Sequence, residues 1–210
     1  MFGLSISTIL VRIIILFLAI PIHEWAHAWS AYQLGDDSAS LQGRMTLNPL
    51  AHLDPIGSLL LLFSGFGWGK PVPVNPYRMR TNPRAGMALS AAAGPFSNFI
   101  LAMLLAIPFR MGWTGWYTGG FSIGALLLVA IQINLGLMLF NLIPVYPLDG
   151  EKVLMGLLPP RWGDSLLRLR PFGTLILAVL IFILPRLGVD LIGMIIAPVY
   201  GLLLNLLLLF

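Results

Sequence analysis

From Met111 to Leu148 the chain carries no charged side chain, and the same holds for Ala85–Phe109, Pro171–Pro185 and Leu191–Phe210. These runs constrain the fold more than any motif does. A helix needs about 20 apolar residues to cross a bilayer, and inside the hydrocarbon only helices and closed barrels satisfy their own backbone. The composition agrees: of 210 residues, 58% are hydrophobic and 10% charged, too few polar groups to coat a soluble globule. The expected fold is an all-α integral membrane bundle of about five to six transmembrane helices.

Glycine and proline punctuation places helices near residues 8–34, 84–109, 121–143, 171–185 and 189–209, with a loop region over 35–83. Inside that loop, Pro55–Gly69 is uncharged but short and glycine-interrupted, which suits a re-entrant or interfacial segment. No internal repeat is visible, and no soluble stretch reaches the roughly 50 residues of an appended domain. One membrane-embedded domain over 1–210 is expected. Arg12, the apolar Ile13–Ile20 and Ala26-His27-Ala28 imitate a signal peptide with its cleavage site. That reading would discard two His and a Glu, so a longer helix that keeps them is preferred.

Charge and cysteine content narrow the chemistry. With no cysteine, disulfides and thiolate chemistry are excluded, and any metal must use His and carboxylate. The net charge of +4 comes without a basic run interleaved with aromatics, so lipid headgroups rather than nucleic acid are the expected anionic partner. Arg44, Lys70, Arg78, Arg80 and Arg84 lie in the first loop region, and Lys152, Arg161, Arg168 and Arg170 follow the 121–143 helix. The positive-inside rule puts both regions in the cytoplasm and the turn Gly112–Gly120 on the other side, with Arg110 as a snorkelling exception.

His23-Glu24-Trp25-Ala26-His27 is an H-E-x-x-H pattern on an expected helix. Its spacing stacks both imidazoles on one face, about 5–6 Å apart, as two zinc ligands require. Glu24 sits one position on, where a carboxylate can accept a proton from water at the metal. The alternative, a pair of packing histidines, leaves a Glu in lipid unexplained. Asp149 is the candidate third ligand, ending an otherwise uncharged, proline-broken stretch, although it could also cap the helix that follows.

The chain resembles the site-2 protease family of intramembrane zinc metalloproteases, peptidase family M50. The resemblance rests on His23–His27, on Asn141–Gly150 read as N-x-x-P-x-x-x-x-D-G, and on Gly94-Pro95-Phe96-Ser97-Asn98 read as G-P-x-x-N. It implies one Zn²⁺ per chain held by His23, His27 and Asp149, Glu24 as general base and Asn141 as polariser of the scissile carbonyl. The substrate is expected to be a transmembrane protein or peptide. The helix that often precedes H-E-x-x-H in the family is missing, and the subgroup resembles the small form without PDZ or CBS domains. A multi-pass protein of a prokaryotic inner membrane is expected, its site about 12–18 Å below the cytoplasmic surface on helix rise. A zinc-handling transporter and an inactive scaffold are the rival readings.

Three further features were weighed. Pro71-Val72-Pro73-Val74 alternates donor-less and donor-bearing residues, so one edge of an extended strand could accept an unwound substrate; a plain proline-rich loop is the alternative. Met87–Gly94 is rich in small residues suited to close helix packing. His52, in a proline-flanked loop, is expected to be structural or solvated and is retained as an auxiliary or regulatory ligand.

Overall fold

The computed structural model describes residues 6–64, 67–112, 117–118 and 121–208. The chain opens with α1, Ile6–Ile14, and runs through a π-helical turn, Ile15–Ala19, into α2, Ile20–Leu34. Pro21 has no N–H and its ring crowds the carbonyl one turn back; the wider π turn ends two residues before it and absorbs that clash. A left-handed Gly35, φ 108°, stops α2.

Two one-turn helices, α3 (Ser38–Leu41) and α4 (Pro49–His52), lead to α5, Pro55–Ser64. At 10 residues α5 is about 15 Å long, half the hydrocarbon thickness. The chain then returns to its starting point: Leu53 bridges Gly69, and the Lys70 N–H donates to the His52 carbonyl at 2.8 Å. This out-and-back path has the shape expected of a re-entrant segment. The Arg12 guanidinium ties it to α1 through the Leu62 carbonyl.

Asn82 caps α6, Pro83–Arg110, with its side chain accepting from the Arg84 and Ala85 N–H groups. A two-residue ladder of β1 (Tyr117–Thr118) and β2 (Phe121–Ser122) leads into α7, Ile123–Asn141. Two short helices follow, α8 (Asp149–Leu157) and α9 (Pro160–Leu167). α10, Arg170–Ala178, continues through a second π turn, Val179–Ile183, which again ends two residues before a proline, Pro185. α11, Leu191–Leu208, completes the described residues.

Among the described residues, five segments are long and apolar enough to cross a membrane: Ile9–Leu34, Pro83–Arg110, Ile123–Asn141, Arg170–Leu187 and Leu191–Leu208. The protein is thus an all-α, multi-pass membrane bundle. α6 is its axis, packing against α2, α7 and α8. Ala102 and Ala106 let α7 approach closely, so that Ile131 and Leu135 are buried against them. Leu104, Leu175 and Ile195 point outward, as a lipid solvent allows.

Candidate metal centre

α2 carries His23 and His27 one turn apart on the face it turns to α6. The rings meet edge to face with centroids 4.6 Å apart, bringing the two Nε2 atoms to 3.0 Å. Asp149 reaches them from the opposite side, its Oδ2 lying 3.2 Å from His23 Nε2 and 3.1 Å from His27 Nε2. All three side chains are buried, and among the described residues they form the one His/carboxylate group able to hold a metal. Asp149 is the first residue of α8, whose N-cap is Leu148 without a side-chain cap bond, so the capping role is not the one it plays. Gly150 permits this entry, because a Cβ there would lie 2.2 Å from the Leu142 carbonyl oxygen.

The hydrogen bonds on the far side of each ring turn its Nε2 toward the group. His27 Nδ1 lies 2.7 Å from the Ser90 backbone carbonyl, which can only accept, so Nδ1–H donates and Nε2 is the atom presented to Asp149. His23 Nδ1–H donates likewise to Asn98 Oδ1 at 2.6 Å. The Nε2 atoms of both rings and a carboxylate oxygen of Asp149 therefore converge on one point. Ligands about 2.0–2.1 Å from a tetrahedral Zn²⁺ stand roughly 3.3 Å apart, close to the separations found here. Lys152 Nζ takes the other oxygen, Oδ1, at 3.1 Å, which leaves Oδ2 free for the group. Burial would raise the Asp149 pKa, but the facing His27 and His23 outweigh it and hold the carboxyl well below the usual carboxylate range.

Gly94 makes room for the rings. A Cβ built there would lie 2.3 Å from His27 Nε2 and 2.7 Å from His23 Nε2. Ser90, Gly94 and Asn98 recur every four residues, so one face of α6 supplies an acceptor, a gap and an acceptor opposite the His pair. That spacing is the signal by which the sequence reading could have found Ser90 and given Asn98 a role; it treated Gly94 as packing and Asn98 as motif only.

The group opens on a cavity of about 640 Å³, of the size that takes organic ligands, lined also by Glu24, Val72, Met87, Phe140 and Asn141. Glu24 Oε2 accepts from the Val72 N–H at 3.0 Å. Asn141 borders the cavity but turns one N–H back to the Leu137 carbonyl at 3.0 Å. The structure thus brings His23, Glu24, His27, Asn141 and Asp149 to one cavity. His52 lies apart from the group, and of the two expected roles it takes the structural one: it is fully buried, its ring Nε2–H donating to the Thr46 carbonyl at 2.7 Å.

Fold and site define a multi-pass membrane protein with a buried His-His-Asp group that could bind a metal. The chain is 41% identical over 177 residues to the Bacillus subtilis protein named "Putative zinc metalloprotease YwhC", an overlap of 82% of this chain and 80% of that one. It is 30% identical over 170 residues to "Putative zinc metalloprotease Rip2" of Mycolicibacterium smegmatis and 31% over 177 residues to Rip2 of Mycobacterium tuberculosis H37Rv. These overlaps take 78% and 81% of this chain but 63% and 66% of the two Rip2 proteins, just under two thirds of their length. The chain belongs to the zinc metalloprotease family of YwhC and Rip2. No protein-family model matches it. No solved structure matches it either.

Proposed function

We propose that this chain is an intramembrane endopeptidase of the site-2 type, cutting a peptide bond within or near a transmembrane segment of a membrane-protein substrate. The observation that carries the reading is the convergence of three metal-ligand atoms, two of them on a helix fit to cross a membrane, beside the Glu24 carboxylate in a cavity of about 640 Å³. His23, His27 and Asp149 would hold one Zn²⁺, which when bound supplies Lewis acidity that polarises a carbonyl and acidifies water. Glu24 accepts the proton of the attacking water and returns it to the leaving amine. Asn141 turns its remaining N–H toward the scissile carbonyl oxygen. Val72 and Val74 both line the cavity, and an extended chain there would carry their N–H groups on one edge, to which an unwound substrate would add. The site opens to the cytoplasm, and the protein resides in a prokaryotic inner membrane.

The test is cleavage of a transmembrane reporter by the purified protein in vesicles, native against Glu24→Gln, with bound zinc measured in both. The variant keeps an oxygen for the Val72 N–H, so zinc is retained while cleavage falls by about 10²–10⁴-fold. Zinc loss together with activity would make Glu24 a ligand, and zinc uptake into vesicles without hydrolysis would make the protein a transporter. Product termini mapping to the half of the substrate away from the cytoplasm would reverse the orientation.

A further inference from the structure

We infer that Asn98 and Asn134 form a directional hydrogen-bond relay that fixes the His23 tautomer, making both positioning residues for the metal-binding group; this rests on the reading of that group as a zinc site. Both side chains are fully buried in segments that cross the membrane, where a polar amide is costly unless every donor and acceptor is matched.

The relay takes its direction from a group that cannot be reversed. The Ala130 backbone carbonyl on α7 only accepts, and Asn134 Nδ2 lies 2.8 Å from it, so the amino end of Asn134 faces that way. Its Oδ1 must then face α6, where it accepts from Asn98 Nδ2 at 2.9 Å. The same Asn98 amino group has the Ala19 carbonyl, a second obligate acceptor, at 3.5 Å. Asn98 Oδ1 is thereby turned to His23 Nδ1 at 2.6 Å, and an amide oxygen opposite a ring nitrogen requires the proton on that nitrogen.

Reversing Asn98 would set its oxygen against two other buried oxygens with no proton between them. It would also move the His23 proton to Nε2, pointing it at His27 and Asp149. An isolated imidazole favours that Nε2–H form, so the relay holds His23 against its intrinsic preference. His27 needs no relay, because the Ser90 backbone carbonyl sets its tautomer directly. The prediction is therefore specific to one of the two histidines.

With only three histidines in the chain, ring-nitrogen NMR of the zinc-free, ¹⁵N-His-labelled protein in detergent at mildly alkaline pH reads the tautomers directly. Native His23 and His27 are both expected to carry a proton on Nδ1. Asn98→Leu should move His23 toward Nε2–H, leave His27 unchanged, and weaken zinc binding on the order of 10- to 100-fold in chelator competition. Asn134→Leu should shift His23 partway. His23 staying Nδ1–H with native zinc affinity in Asn98→Leu would overturn the relay, and no change of either readout in Asn134→Leu would remove Asn134 from it. Where Asn98→Leu does not fold, judged by loss of the native His27 signal, Asn134→Leu decides the outcome. A native protein that binds no zinc would sink the proposed function, while the tautomers would still decide the relay.

Discussion

Replacing Gly94 by alanine adds one methyl group at the point where α6 passes the His pair. The added Cβ would stand 2.3 Å from His27 Nε2, 2.4 Å from His27 Cε1 and 2.7 Å from His23 Nε2. Carbon contacts settle near 3.5–4.0 Å, so the rings must withdraw by about 1 Å or α6 must move away. Neither ring swings freely, since each is tethered at its far nitrogen, His27 at 2.7 Å and His23 at 2.6 Å. Overpacking costs about 1–3 kcal/mol and strained hydrogen bonds a similar amount, against about 1 kcal/mol gained by Ala over Gly in a helix. Apo stability should therefore fall by only about 2 kcal/mol. Metal sites tolerate ligand errors of roughly 0.2 Å, so a shift near 1 Å should weaken zinc binding by at least about 100-fold. Chelator competition and thermal melting in detergent separate the two effects. Gly136→Ala on α7 is the control: its Cβ meets nothing within 4 Å, so zinc affinity stays native. Native zinc affinity in Gly94→Ala would refute the claim that this glycine makes room for the ligands.

Asp149→Ala should lose zinc by more than the roughly 100-fold typical of a supporting group, and cleavage with it, whereas His52→Ala should keep its zinc. The cost of His52→Ala is in stability, about 2–3 kcal/mol for a fully buried ring and its bond to the Thr46 carbonyl; zinc content that follows His52 and ignores Asp149 would reverse the ligand assignment. Glu151 is 2% exposed and held by Arg170 through Nε at 2.6 Å and a second nitrogen at 3.0 Å, with the Arg side chain 39% exposed. Arg170→Met should cost about 2–3 kcal/mol, below the full penalty of a buried pair because water reaches the Arg end, and adding Glu151→Gln should recover part of it in a double-mutant cycle.

The spans could be read from the sequence because lipid removes the ambiguity that burial brings in water. The run expected over 84–109 folds as Pro83–Arg110, and its start is the Asn82-Pro83 capping pair. The π turns before Pro21 and Pro185 were implicit in those prolines, but the way a helix absorbs a proline is settled by its neighbours. For Asp149, charge poverty pointed to a site, while the role of helix cap could not be set aside until Leu148 was seen to occupy it. Whether His52 is structural or solvated could not be decided from the sequence, because a polar, proline-flanked loop permits both. Here the chain folds back over it through the Lys70 N–H, and no local pattern encodes that contact. Asn134 was invisible for a related reason: an amide in an apolar helix gains meaning only from what faces it, and Asn98 lies 36 positions away.

On the proposed function, the segment between α5 and α6 is where a polypeptide would lie beside the metal ligands. It is fixed by groups of the connections on either side of α3: the Lys70 carbonyl accepts from Arg44 at 2.5 Å, and the Asn75 N–H donates to the buried Asp36 at 2.6 Å. Arg78 pairs with Asp37 at 2.5 Å. Between these anchors, Pro71 and Pro73 have no N–H to give, and in an extended chain their edge is opposite that of Val72 and Val74. The Val72 N–H points at Glu24, so the donor-bearing edge is the one turned to the cavity. A substrate strand adding there must share Val72 with the carboxylate or take the amide from it. Taking it would free an oxygen of Glu24 to receive a proton at the moment a peptide bond arrives. On the proposed function, an occupied edge thus couples substrate entry to release of the base, and the prolines keep the outer edge from competing.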